Sequence, residues 1–162
     1  MPSIKPLIYI ETSVISYLTA RTSRDVLTAA RQTWTREWWD VAHQHWVLKA
    51  SELVVEESAK GDTAAAQMRL AALNNLELIP ITQEMQELAQ QLIATGAIPA
   101  TEPEDALHIA LATLSGAHYL VSWNFAHLVG PDTKIRLLDT IRSLGKTPAL
   151  LTTPEELMEM LI

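Results

Sequence analysis

At 162 residues, with 48% apolar and 19% charged residues, the chain fits one folded domain (1–162) able to bury a core without covalent staples. The absence of cysteine excludes a disulfide framework, thiolate metal sites and a cysteine nucleophile, and fits a reducing cytoplasm. A net charge of −7 argues against tight, sequence-independent binding to long duplexes, which needs a basic excess.

The opening stretch 1–13 has too short an apolar run for a signal peptide, and no run is long enough to span a bilayer. Leu7–Ile10 predicts a first buried strand, and Thr12 or Ser13 then caps a short helix through Tyr17. Ser23 is expected to cap a long helix to about Gln44. Trp46–Leu48 reads as extended, and Ser51 caps the next helix, which Gly61 stops. Asp62 caps a helix through about Leu73, Leu76–Ile79 is a strand, and Thr82 caps a helix ending near Gly96.

Thr101-Glu102-Pro103-Glu104 has capping-box spacing with proline in the first turn, and the helix it starts runs to Leu114 and stops at Gly116. His118–Ser122 is a strand. The tail carries a helix near Lys134–Leu144, a short apolar run Pro148–Leu151 and a last helix from Thr153. Strands alternating with helices predict a mostly parallel sheet covered on both faces. In such sheets ligands sit beyond the carboxyl ends of the strands.

Polar residues fall at those ends. Glu11 directly follows the first strand, and Asn124 follows the strand ending at Ser122. Either one alone is also an ordinary turn or capping residue. In the helix after Ser51, Glu52, Glu56 and Lys60 form a solvated stripe. Glu57 instead follows Val54 and Leu53 by three and four residues, on the apolar side, where a carboxylate needs a cation or another partner. Asp105 lies in the first turn of its helix, where a carboxylate also suits the helix dipole; a nearly all-apolar run follows it. His108, one turn on, has three roles open to it: orienting Asp105, touching substrate or packing. Hard cations such as Mg2+ and Mn2+ take converging oxygen ligands of this kind. Such an ion acidifies water and neutralises charge growing on a phosphoryl group, so no side-chain nucleophile is needed. The chain has no G-x-S-x-G, Walker loop or G-x-G-x-x-G.

Four segments together resemble the PIN domain family. Ile10-Glu11-Thr12-Ser13 is similar to the family's opening I-D-T-S, and Ser51–Glu57 to its second acidic segment. Asp105-Ala106-Leu107-His108-Ile109-Ala110 matches its D-A-L-H-I-A helix, and Leu120–Phe125 resembles the strand end where many members carry a last acid. The likeness spans roughly Leu7 to Leu157, including the tail Thr153–Leu157. It implies a PIN-like three-layer α/β sandwich and a Mg2+- or Mn2+-dependent ribonuclease similar to VapC-type toxins. Glu11, Glu57, Asp105 and Asn124 would be the catalytic and metal-holding residues, and Ser13 and His108 would meet substrate. RNA, a small antitoxin protein and a second copy of the chain would be its partners. Two positions depart from the family pattern: Glu11 replaces the usual Asp, and Asn124 replaces a frequent Asp, keeping an oxygen but losing a charge. These departures support a rival reading, a weakened PIN-like module that binds RNA or protein without cutting. Metal-dependent phosphatase chemistry would want a D-x-D after the first strand, which Glu11-Thr12-Ser13 does not supply.

Trp34, Trp38 and Trp39, with Val26 and Val41, give the long helix a wide apolar face. That face suits the core, or a dimer or antitoxin interface. Arg21, Arg24, Arg31 and Arg36 form the nearby basic cluster, either a solvated face or a guide for phosphates.

Overall fold

The computed structural model describes residues 4–162; residues 1–3, which open the stretch judged too short for a signal peptide and begin the expected domain, lie outside the described residues. Strands β1 (Leu7–Ile10), β2 (Val47–Ser51), β3 (Glu77–Ile79), β4 (Tyr119–Val121) and β5 (Leu150–Thr152) form one sheet in the order β3-β2-β1-β4-β5. Every pairing is parallel, so the expected mostly parallel sheet is parallel throughout. Successive side chains of a strand point to opposite faces, and Ile8, Tyr9 and Ile10 are all fully buried. Both faces of β1 are therefore covered, which is why its sequence is an unbroken apolar run. At the β3 edge Glu77 is exposed, and Lys49 bonds it at 3.2 Å across a register pair.

The covering helices are α1 (Thr12–Thr19), α2 (Val26–His45), α3 (Glu52–Ser58), α4 (Thr63–Leu73), α5 (Gln83–Ala94), α6 (Pro103–Leu114), α7 (Pro131–Ser143) and α8 (Pro154–Glu159). Ser51, Asp62, Thr82 and Thr153 each cap the helix that follows, as their positions predict. Gly61 and Gly116, both at positive φ, terminate α3 and α6 as expected. Among the described residues no helix is long and apolar enough to cross a membrane.

Several local expectations are corrected. The cap of α1 is Glu11 rather than Thr12 or Ser13, because its longer arm folds back to accept from Ser13 N. Asp25, not Ser23, caps α2, taking Thr28 N at 2.9 Å and the Thr28 hydroxyl at 2.8 Å. Ser23 instead accepts from Asp25 N, one step ahead of the helix. Thr101 caps nothing; α6 starts at Pro103 behind Glu102, without a side-chain cap bond. Of the run Pro148–Leu151, Leu150 and Leu151 enter the edge strand β5, paired with β4. A π-helical turn, Phe125–Val129, follows β4, and α7 begins at Pro131, three residues ahead of Lys134. The apolar face of α2 is also narrower than its sequence suggests. Trp38 is fully buried and Trp34 and Trp39 pack partly buried on the core, but Val26 at the first helical position is 84% exposed.

The strand order reverses between β1 and β4. The chain leaves β1 toward β2 and β3 on one side, and β4 returns on the other. Helical crossovers therefore diverge at the carboxyl ends of β1 and β4, the place where parallel sheets of this kind form a ligand crevice. Glu11 closes β1 and Ser122, Trp123 and Asn124 follow β4, so both strand ends deliver polar groups to that crevice.

Candidate functional site

Glu11 is buried, and a buried carboxylate requires donors. It has three: Ser13 N on Oε2 at 2.9 Å, and the hydroxyls of Ser13 (2.5 Å) and Ser122 on Oε1. Each hydroxyl accepts in turn from a backbone N–H beyond β4. Trp123 N reaches Ser13 Oγ at 2.8 Å, and Asn124 N reaches Ser122 Oγ at 2.9 Å. Glu11 thus joins the ends of β1 and β4 through two serines. The Ser13 hydroxyl, expected to meet substrate, already donates to one group and accepts from another.

Glu57 reaches inward from α3, three-quarters buried, and its Oε1 accepts from Thr12 Oγ1 at 2.7 Å and pairs with His108 Nε2 at 2.6 Å. Burial pushes the Glu57 carboxyl up, but the hydrogen bond and charge of His108, with the Thr12 hydroxyl, outweigh it and hold the group below its ordinary value. His108 has the complementary balance. Burial pulls the ring down; the bond to Glu57 and the charges of Glu11, Glu57 and Asp105 raise it above its ordinary value. Its other nitrogen lies 2.7 Å from Tyr9 Oη, which lies 2.9 Å from Ser51 Oγ. Burial pushes the Tyr9 phenol up, so it stays protonated. His108 is only 1% exposed, and its Nε2 pairs with Glu57 rather than with the neighbouring Asp105.

Asp105, at the start of α6, is the incompletely satisfied carboxylate. Asn124 Nδ2 donates to its Oδ1 at 3.3 Å, whereas its buried Oδ2 has no hydrogen-bond partner. Burial pushes this carboxyl up, against the opposing pull of His108 and His127. Asn124 turns its amide oxygen the other way, accepting from His127 N at 3.1 Å to cap the π-helical turn. That turn brings His127 beside α6, with Nε2 3.8 Å from Glu102 Oε1.

Glu11, Glu57 and Asp105 share one electrostatic neighbourhood, since all three act on His108 and Glu11 also acts on Asp105. They do not close into one tight ligand set. Among the described residues, the group of three acidic or histidine side chains whose ligand atoms lie within 4.8 Å of one another is Glu102, Asp105 and His127. Asp105, a member of that group, also carries a buried oxygen without a partner, the kind of feature a divalent cation fits.

Sequence reasoning passed over Ser122 and Thr12 as partners of the acids, and His127 altogether. Position offered a faint signal for His127, three residues after Asn124, on the same side of a helical turn. Next to the strand end, Trp123 is buried, bonded through Nε1 to Thr35 Oγ1 at 2.8 Å, and stacked with Tyr17 and Trp34. Of the basic cluster, Arg31 lies 4.6 Å over the exposed Phe125 ring, at the start of the π-helical turn.

No family model matches the sequence, and no curated protein matches it. Solved structures do. The chain is similar to VapBC2 from Rickettsia felis bound to a DNA fragment from their promoter, with a TM-score of 0.57 and 16% identity, over 91% of this chain and 98% of that one. It is also similar to Mycobacterium tuberculosis VapC20, a sarcin-ricin loop cleaving toxin, with a TM-score of 0.55 and 18% identity, over 74% and 91%. Likeness at these identities is likeness of fold: the chain has the VapC-like PIN-domain fold.

Proposed function

We propose that this PIN-domain chain is a metal-dependent endoribonuclease that hydrolyses RNA phosphodiester bonds, acting as the toxin of a toxin–antitoxin pair. The observation that carries the reading is Asp105: a buried carboxylate oxygen without a partner, at the switch point of a parallel sheet, within the field of Glu11. Mg2+ or Mn2+, when bound, supplies an acidified water and positive charge for the phosphoryl oxygens. Asp105 holds the ion, with Glu11 and Glu57 as the further acids. Asn124 fixes the rotamer of Asp105 through its N–H, Ser13 and Ser122 fix Glu11, and Thr12 and His108 fix Glu57. Arg31 places a positive charge next to the strand end, where an RNA phosphate would approach. A small antitoxin protein and a second copy of the chain are the partners this reading implies.

One observation favours the second reading, a PIN-like module that binds RNA or protein without cutting. Glu11 already accepts three hydrogen bonds, and Glu57 Oε1 already accepts from Thr12 and His108, so both acids are satisfied without an ion. An RNA-cleavage assay with Mn2+ and with Mg2+, run beside Asp105→Asn, separates the two. Ion-dependent cleavage, reduced about a hundredfold or more in Asp105→Asn, is expected. Absence of cleavage with both ions, alongside retained RNA binding, would put the binding module first. The variant should fold at least as stably as the parent at neutral pH, because an amide keeps the acceptor for Asn124 and removes a charge that burial disfavours.

A further inference from the structure

We infer that Glu102 and His127 are additional ligands of the metal held by Asp105, and that the His127 imidazole tilts this site from Mg2+ toward Mn2+. The inference rests on the metal-dependent reading above and concerns residues outside the four-acid pattern. Glu102 precedes α6, Asp105 lies in its first turn, and His127 comes from the π-helical turn after β4. One oxygen or nitrogen from each lies within 4.8 Å of the others. Metal–ligand bonds of about 2.0–2.2 Å place neighbouring ligand atoms about 3 Å apart. Modest rotation of the partly exposed Glu102 and His127 side chains closes that gap.

Two further observations point the same way. Asp105 Oδ2 is buried and unpaired, which a simple surface ion pair between His127 and Glu102 does not account for. At 3.8 Å that pair lies beyond hydrogen-bonding range, and an exposed pair of this kind contributes little. Asn124 at the usual fourth position turns its oxygen to His127 N and its N–H to Asp105, so it presents a donor where a ligand oxygen is needed. His127, three residues on, supplies the missing electron pair as nitrogen. Mg2+ takes oxygen ligands and demands near-ideal octahedral geometry, whereas imidazole suits transition ions. A nitrogen at this position therefore discriminates between the two ions.

The test is calorimetric titration of the full chain with Mn2+ and with Mg2+, for the parent, His127→Ala and His127→Asp. His127→Ala should lose about tenfold or more in Mn2+ affinity, as loss of even an indirect ligand contact does, and change little toward Mg2+. His127→Asp, returning a hard oxygen, should bind Mg2+ more tightly than the parent does. His127→Ala falls on a partly exposed side chain, so its metal-free melting temperature should stay near the parent's, whereas the added carboxylate of His127→Asp, beside Glu102 and Asp105, should lower it. In the parent, Mn2+ should broaden the ring-proton resonances of His127 far more strongly than those of His118, at the other end of β4. An unchanged ratio of Mn2+ to Mg2+ affinity in His127→Ala, or an unbroadened His127, overturns the inference and leaves the nuclease reading standing if cleavage persists. A parent that binds neither ion overturns both.

Discussion

The extra methylene of Glu11 carries its carboxylate back over the start of α1, where it takes three hydrogen bonds from Ser13 and Ser122. An Asp there would be a conventional cap but would not span both serines, leaving an oxygen free for a cation. At Asn124 an Asp would still accept from His127 N, while placing a second negative charge beside Asp105. The double variant Glu11→Asp with Asn124→Asp is therefore expected to bind Mn2+ more tightly by calorimetry. It should also show a larger rise in melting temperature on adding metal and cleave RNA at least as well as the parent. Without metal it should melt lower than the parent, because crowded carboxylates repel. If it binds no more metal than the parent, carboxylates at positions 11 and 124 do not reach the ion and the binding-module reading moves ahead. The Glu57–His108 pair gives a second expectation at this scale. Glu57 is held below its ordinary value of 4.5, so its contribution to stability is present above that value and fades as pH falls through the depressed one. His108 is raised above 6.5, so its contribution is complete below 6.5 and fades as pH rises through the raised value. Metal-free protein should thus be most stable between about pH 4.5 and 6.5 as far as this pair is concerned. Melting temperatures across pH should show His108→Gln losing the decline that the parent shows as pH rises above 6.5; an unchanged profile would mean that the pair does not ionise as described.

Among the elements, the π-helical turn Phe125–Val129 has the narrowest tolerance. It is capped at one end by Asn124 and closed at the other by Gly130. A side-chain carbon at Gly130 would sit closer than 3.0 Å to the Phe125 carbonyl oxygen, a backbone atom that cannot move aside without the turn. The backbone of Gly130 has an ordinary negative φ, so the requirement is for space rather than for a left-handed conformation. Gly130→Ala should cost about 1–3 kcal/mol, the usual penalty for overpacking. It should also displace His127 and Asn124, weakening metal binding more than a comparable substitution at an exposed site. Denaturant unfolding with parallel calorimetry checks both; a variant as stable as the parent, with parental metal affinity, would show that the turn is softer than its packing indicates. Local signals mark most other elements. Ser51, Asp62, Thr82 and Thr153 cap helices through atoms three residues away, and a one-turn reach is visible in sequence. Thr101 had the right spacing, but Glu102 took the cap position and Pro103 the first helical one, without a side-chain cap bond.

For the molecule as a whole, charge and surface set the terms of association. With −7 overall, the proposed RNA substrate would have to be held through the proposed metal and a few local cations such as Arg31 rather than by a general field. The tryptophans that suggested a dimer face are partly withdrawn into the core: Trp38 is buried, and Trp34 and Trp39 pack against it. Exposed apolar surface remains at the start of α2, where Val26 is 84% and Leu27 55% exposed. A two-fold symmetric homodimer is expected, with light scattering giving twice the 18.0 kDa chain mass at tens of micromolar. A monomer at high micromolar concentration would overturn it. A dimer that survives Val26→Lys with Leu27→Lys would place the contact on another face. By itself the sequence determined the alternation of strands and helices, the caps of α3, α4, α5 and α8 and the inward set of Glu57, because each depends on periodicity or on partners one turn away. Only the tertiary structure decided the β3-β2-β1-β4-β5 order, and with it the bond from Ser122 to Glu11 across 111 positions and the meeting of His127 with Glu102. Those contacts follow from which strands lie side by side, and that is settled by packing the whole core, which no local stretch of the chain encodes.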